Sequence, residues 1–186
     1  MSGVLGKNYR RRNSNERPEW IVVHYPAMPG ANNIKVWRYF YDERHCKSSH
    51  YIVDSSGVQK GLDIRYAAYH VGGLSTSKNG CYNGNAIGVD LCDDKSNRRS
   101  IKVTDNDWYF RPETLKCASI LIARLMRSYH IDIDHVVRHY DVTGKICPRP
   151  FVGEDNSYNF KGMKCNELWL HFKDMILIEL SKHNAK

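Results

Sequence analysis

The sequence predicts an α/β fold in which helices flank a mixed central β-sheet. Two observations support this class. Short apolar segments typical of buried strands alternate along the chain with longer segments of helical periodicity. The 186 residues suit one domain with a sizeable core, and neither an internal repeat nor a low-complexity linker divides them. We therefore predict one domain over residues 1–186, beginning with a basic segment over residues 1–17.

Apolar segments bounded by turn residues predict the strands of the sheet. They are Trp20–Val23, His50–Asp54, Val58–Lys60, Ile87–Cys92 and Val136–Val137. Pro18 introduces the first strand, and Ser55-Ser56-Gly57 predicts a hairpin between the second and the third. His24 and His139 lie at the ends of two predicted strands, where a rigid sheet can present side chains to a cleft.

Amphipathic periodicity predicts three helices, and polar segments predict the loops between the elements. The helices are Ile34–Cys46, Pro112–Tyr129 and Asn166–Ser181, and the longer loops are Gly72–Asn85, Asp93–Asp107 and Asp141–Pro150. Proline is favoured in the first turn of a helix, so Pro112 supports the start of the second helix.

The formal net charge of +8 is compatible with three interpretations. The basic residues Arg10–Arg12, Arg98, Arg99 and Lys102 could contact nucleic acid, could form a solvated surface, or could favour encounter with an anionic polymer such as a cell wall. Charge does not choose among them, but the clustered basic and aromatic pattern of nucleic-acid-binding modules is absent from the sequence, so we expect no nucleic-acid partner.

The sequence also bears on location. No apolar segment is long enough to span a bilayer, and the basic N-terminal segment lacks the apolar stretch of a secretory signal. We therefore expect synthesis in a cytoplasm and no insertion into a membrane.

Three potential metal ligands lie at or beyond the ends of predicted elements: His24, His139 and Cys147. Two imidazoles and one thiolate suit Zn²⁺, and three protein ligands leave a fourth position for water, as a catalytic zinc site requires. Each residue alone is weak evidence, because a histidine at a strand end is usually structural and a lone cysteine usually packs in the core. With nine histidines in the chain, spacing alone does not single out these two.

Longer motifs provide the missing specificity. In chain order they are His24-Tyr25, Ser49-His50-Tyr51-Ile52-Val53-Asp54 with Gly57, Ala68-Tyr69-His70-Val71-Gly72, Asn85-Ala86-Ile87-Gly88-Val89-Asp90-Leu91-Cys92, and Arg138-His139 followed by Lys145-Ile146-Cys147-Pro148. Together they resemble the zinc-dependent N-acetylmuramoyl-L-alanine amidase family, which includes bacteriophage endolysins, bacterial autolysins and amidase-type peptidoglycan recognition proteins. The resemblance extends from about Tyr9 to at least Phe151, and the region from Pro18 to Gly30 is most similar to endolysins and autolysins of Gram-positive systems.

The resemblance implies a role for each matching residue. His24, His139 and Cys147 take the positions of the zinc ligands, with one Zn²⁺ per chain. Lys145, two residues before the last ligand, would hydrogen-bond the oxyanion that develops during the reaction, although an exposed loop lysine is the alternative. His70 and Asn85 match positions that line the cleft and are expected to contact substrate.

Asp90 is the predicted general base. It alternates with large aliphatic residues on its strand, and an acid on a buried strand must be paired, hydrogen-bonded or functional. Related Gram-positive endolysins carry glutamate here, so the shorter aspartate has less reach; a purely structural carboxylate remains the alternative. Other members of the family use a tyrosine where this chain has Ser49. The absence of that tyrosine strengthens Asp90 as the candidate for the general base.

The activity implied is hydrolysis of the amide bond between N-acetylmuramoyl and L-alanine in bacterial peptidoglycan, in cell-wall lysis. Two alternatives remain open: a module that binds peptidoglycan without cleaving it, and an amidase that recycles soluble muropeptides. For a phage enzyme the family also implies a holin, a partner that perforates the membrane for export. We expect a monomer, and we recognise no wall-binding domain within residues 1–186.

Overall fold

The computed structural model describes residues 8–155 and 162–182 of the chain. Its strands are β1 (Tyr9–Arg11), β2 (Trp20–His24), β3 (Tyr51–Asp54), β4 (Gly57–Lys60), β5 (Tyr66–Ala68), β6 (Ala86–Leu91), β7 (Asp94–Lys95), β8 (Trp108–Tyr109) and β9 (Val136–Arg138). Five of them form the central sheet in the order β4-β3-β6-β2-β9. Only β3 and β4 pair antiparallel there, so the sheet is mixed, as predicted.

Four α-helices accompany the sheet: α1 (Asn33–Tyr41), α2 (Pro112–Tyr129), α3 (His139–Thr143) and α4 (Cys165–Ser181). The sequence predicted α2 with the observed bounds and α4 to within one residue. The prediction for α1 was wrong at its end, because the helix stops at Tyr41 instead of Cys46. Asp42 adopts an extended conformation there, and a short 3₁₀ turn follows over Glu43–His45.

The basic N-terminal segment is folded onto the domain from residue 8 onward. Its strand β1 pairs antiparallel with β5. The Arg12 guanidinium donates to the backbone carbonyl oxygens of Ile64 at 2.9 Å and Ala86 at 2.8 Å. Arg10 pairs with Glu16 at 2.5 Å, and Arg98 pairs with Asp94 at 2.7 Å. These three arginines, considered above as nucleic-acid contacts, therefore have partners within the protein.

The two faces of the central sheet differ in composition because alternate side chains of a strand point to opposite sides. One face packs against α2 and α4 in a continuous apolar core. It consists of Ile21, Val23, Val53, Ile87, Val89, Leu91 and Val136, together with helix residues that include Leu115, Ile122, Phe172 and Ile176. The opposite face carries Val22 and Ile52 in smaller apolar clusters, and His24, Gly88 and Asp90 lie on this same side.

No helix within residues 8–155 and 162–182 is long and apolar enough to cross a membrane.

Candidate metal centre and cleft

Three side chains from separate elements converge at one edge of the sheet. The parallel strands β2 and β9 are neighbours, so His24 at the end of β2 lies near His139, the first residue of α3 after β9. Cys147 approaches from the following loop. One ligand atom from each of the three residues lies within 4.8 Å of the others, and Cys147 Sγ is 3.7 Å from His24 Nδ1.

This arrangement fits a divalent metal ion. A tetrahedral zinc site with ordinary Zn–S and Zn–N bond lengths separates its sulfur and nitrogen ligands by about 3.5 Å, close to the observed sulfur–nitrogen distance. His139 Nδ1 is buried and has no hydrogen-bond partner among the residues that the structure describes. A buried acceptor without a partner is costly unless something else binds it. The donor set of two imidazoles and one thiol can therefore hold a metal.

Burial sets the protonation of these ligands. It holds the pKa of His24 well below its usual range, with further contributions from His70, His139 and Lys145. Burial, assisted by Lys145, lowers the pKa of His139 to about 4, and burial raises the pKa of Cys147 to about 12. Both imidazoles are therefore neutral and ready to bind, whereas the thiol must lose its proton when a metal enters.

The segment that carries His139 and Lys145 is fixed at both ends of α3. Before the helix, the Arg138 backbone N–H donates to Asp141 Oδ2 at 2.8 Å, and the Arg138 guanidinium also pairs with this carboxylate. After the helix, Gly144 has a φ of 86°, a left-handed conformation that favours glycine. The chain then turns so that Lys145, exposed to solvent, lines the cavity above the ligand group.

Asp90 lies beside His24 on the neighbouring strand. In the parallel pairing of β2 with β6, His24 and Asp90 are directly opposite each other. The carboxyl group is only 4% exposed, and this burial raises the pKa of Asp90 to about 7, although Ser49 and two lysines oppose the shift. A carboxyl group with a near-neutral pKa can exchange protons at physiological pH.

These residues open into a cavity of about 380 Å³. Its walls include six residues predicted as site residues: His24, His70, Asp90, His139, Lys145 and Cys147. The walls also include residues that were not predicted from the sequence, among them Tyr39, Phe40, Lys47, Val103 and Ile146. Periodicity placed Tyr39 and Phe40 in a helix, but no local signal showed that this part of α1 faces the ligand group.

Asn85 lies away from the cavity walls. Its side chain accepts a hydrogen bond from the Tyr82 backbone N–H at 2.8 Å and donates to the Gly80 carbonyl at 3.1 Å. These bonds tie down the loop before β6. The expected contact of Asn85 with substrate stays a prediction, and the observed role of its short amide is to satisfy backbone groups within its own turn.

His70 lies in the cavity wall directly behind His24. His70 Nδ1 is 2.8 Å from His24 Nε2, and the two rings are nearly perpendicular. A Cβ atom at position 88 would come within 2.9 Å of the His70 ring, so the absence of a side chain at Gly88 permits this approach. His50 supports the same strand, since its Nδ1 accepts from the Gly88 backbone N–H at 2.9 Å.

Comparison with known proteins agrees with this architecture. Residues 14–150 match the N-acetylmuramoyl-L-alanine amidase family. The chain is 33% identical over 165 residues to the N-acetylmuramoyl-L-alanine amidase CwlL of Bacillus licheniformis; the match covers 81% of this chain and 43% of CwlL. The chain thus spans less than half the length of this relative.

Two solved structures share the fold. The catalytic domain of XlyA superposes with a TM-score of 0.66 at 22% identity, covering 95% of each chain. The structure of PlyL gives 0.66 at 20% identity, covering 93% of this chain and 92% of that one. With its matched residues and its fold, this chain belongs to the N-acetylmuramoyl-L-alanine amidase family.

Proposed function

We propose that this protein hydrolyses the amide bond between N-acetylmuramoyl and L-alanine in bacterial peptidoglycan, using one zinc ion per chain. The observation that carries the proposal is the convergence of His24, His139 and Cys147 within 4.8 Å at the cavity. Membership of the amidase family and the names of its relatives support the choice of bond.

A zinc ion held by these three residues would supply a Lewis acid and would acidify a water molecule in the cavity. The protein's own contribution begins with Asp90. Its position opposite His24 and its pKa of about 7 suit it to accept the proton of the attacking water at neutral pH. Protonated Asp90 can then return the proton to the leaving nitrogen of L-alanine, which could not depart as an amide anion.

Lys145 is proposed to stabilise the oxyanion that forms on the muramoyl carbonyl. Its ammonium group lines the cavity, and its charge acts on both His24 and His139, lowering the pKa of each. A cation at this place stabilises negative charge that develops during the reaction more than it stabilises the neutral amide.

The remaining walls are suited to a glycopeptide. Tyr39, Phe40 and Val103 offer apolar surface, while Lys47 offers a cation. We propose peptidoglycan as the partner and a monomer as the working form. For release from the cell in which it is made, the proposal invokes a holin, in keeping with the endolysin resemblance.

The experiment is digestion of purified cell walls followed by mass spectrometry. The proposal expects stem peptides with a new N-terminal alanine and intact glycan strands, with Cys147→Ser as the inactive control. Tight binding to walls without such peptides would contradict it and favour a binding module. Cleavage of small muropeptides but not of intact sacculi would favour a recycling amidase.

A further inference from the structure

The two ring nitrogens of His24 have different neighbours. Nδ1 faces the ligand group, 3.7 Å from Cys147 Sγ, whereas Nε2 is 2.8 Å from Nδ1 of His70. An imidazole that binds a metal through one nitrogen carries its proton on the other. For His24 to bind through Nδ1, its Nε2–H must therefore donate to His70, and His70 Nδ1 must be unprotonated.

From this geometry we propose that His70 is a positioning residue: it accepts the Nε2–H of His24 and so holds that ring in the tautomer and orientation that present Nδ1 to the metal. The inference rests on the proposed metal site and deepens it. It replaces the direct substrate contact that the family resemblance suggested for His70.

The protein fixes His70 independently of any metal. Asn83 Oδ1 accepts hydrogen bonds from three consecutive backbone N–H groups, those of His70, Val71 and Gly72, at 3.1, 2.9 and 3.1 Å. The ring then packs onto the strand at Gly88, where a side chain would collide with it. The backbone and the ring of His70 are thus both held in place, which keeps its Nδ1 close to His24 Nε2.

Protonation in the buried site favours the same arrangement. A hydrogen bond between two imidazoles requires one donor and one acceptor, so at least one ring must be neutral at the facing nitrogen. The proton of neutral His70 then resides on Nε2, which is buried and lacks a hydrogen-bond partner of standard geometry among the described side chains and backbone. Among the described residues, the side-chain hydrogen bond of standard geometry at the His70 ring is therefore the one to His24.

The test compares His70→Asn with His70→Leu. The two replacements have nearly the same shape, but only asparagine places an acceptor oxygen near the former Nδ1. We expect zinc affinity, measured at fixed pH by competition with a chromophoric chelator, to fall by about 10–100-fold in His70→Leu. In His70→Asn it should stay much closer to wild type. His135→Leu removes a half-buried imidazole that pairs with Asp132 and packs against Trp20, outside the ligand group, and should leave zinc affinity unchanged.

A measurement on the unaltered protein covers the case in which neither variant folds. Nitrogen-15 imidazole spectra of the zinc-loaded wild type should place the His24 proton on Nε2 and the His70 proton on Nε2. A His24 proton on Nδ1 would overturn the inference. Equal zinc affinity in His70→Asn and His70→Leu, with a raised KM as the only defect, would also overturn the inference. That result would leave the amidase proposal standing. Conversely, a wild type that binds zinc through this pair but releases no peptide from walls would refute the amidase proposal alone.

Discussion

The two faces of the central sheet come from the same strands, yet they carry out different tasks. The face under α2 and α4 is mainly apolar, and the side chains that it contributes to the core are almost completely excluded from solvent. The opposite face buries histidines and a carboxyl group beside small apolar clusters. Burying polar groups costs stability, and burying hydrocarbon provides it. The comparison indicates that the apolar face stabilises the fold, whereas the opposite face holds a buried set of ionisable groups at a cost in stability.

The largest effect is expected on the polar face, from Cys147→Ser. Replacing the sulfur should weaken zinc binding and reduce wall digestion by about a thousandfold or more, because bound zinc would lower the activation barrier by several kcal/mol. The thermal midpoint of the metal-free protein should change little, since the two side chains are similar in size. Wall digestion within about tenfold of wild type would contradict the ligand assignment.

The next effect is expected for Asp90→Asn, which keeps the shape of the side chain and removes the base. We predict a fall in kcat of about 10²–10⁴-fold, with the zinc content retained. Turnover at the wild-type rate in a zinc-loaded variant would eliminate Asp90 as the base while leaving the metal centre intact. Zinc analysis and initial rates on the same preparation separate the two possibilities.

In the apolar core, Phe172→Ala should have the opposite effect: a large loss of stability with little loss of activity. Phe172 is fully buried and stacks on Phe151 at a ring-centroid distance of 5.3 Å. Its truncation should lower the free energy of unfolding by about 3–5 kcal/mol, with little change in kcat under conditions where the protein stays folded. Urea denaturation and rate measurements check both parts. A proportional loss of kcat would show that the two faces are not separable.

The smallest effect concerns Asp93, which lies in the short link between β6 and β7. It is 2% exposed, its Oδ1 accepts from the Met28 backbone N–H at 3.3 Å, and its Oδ2 has no partner within the described parts of the chain. Burial raises the pKa of Asp93 to about 7, from an ordinary value of 3.8. The protonated carboxyl group therefore contributes stability that is complete below the ordinary pKa and is lost as pH rises toward 7.

Asp93→Asn mimics the protonated form at every pH. Relative to wild type, the variant should gain about 2–4 kcal/mol of stability between pH 4 and pH 8, at about 1.4 kcal/mol per pKa unit. Urea denaturation of both proteins at the two pH values measures this difference. A constant difference across the range would contradict the raised pKa.

The sequence predicted the elements that have strong periodicity. Strands β2, β6 and β9 and helices α2 and α4 were predicted because each buries a regular apolar pattern against a neighbour. Short elements were missed: β1, β5, β7 and β8 have two or three residues each, and their pairing depends on contacts distant in the sequence. The short helix α3 was predicted as loop for a related reason, since its five residues include no full apolar repeat.

The same distinction applies to the candidate site, where local motifs identified the ligand residues but not a contact between residues distant in the sequence. The motifs identified His24, His139 and Cys147, and the structure brings them together. They did not identify the contact between His24 and His70, which joins side chains 46 residues apart and exists only once β6 and the preceding loop are folded. Asn85 is the opposite case. It lies within a matching motif, but its side chain hydrogen-bonds backbone groups of its own turn and does not line the cavity.

The most direct test of the account is X-ray absorption at the zinc edge of the zinc-loaded protein. We predict one zinc per chain, with one sulfur at about 2.3 Å and two imidazole nitrogens at about 2.0–2.1 Å. A zinc shell without sulfur, or a protein that takes up no zinc at saturation, would contradict the claim that His24, His139 and Cys147 form one metal centre.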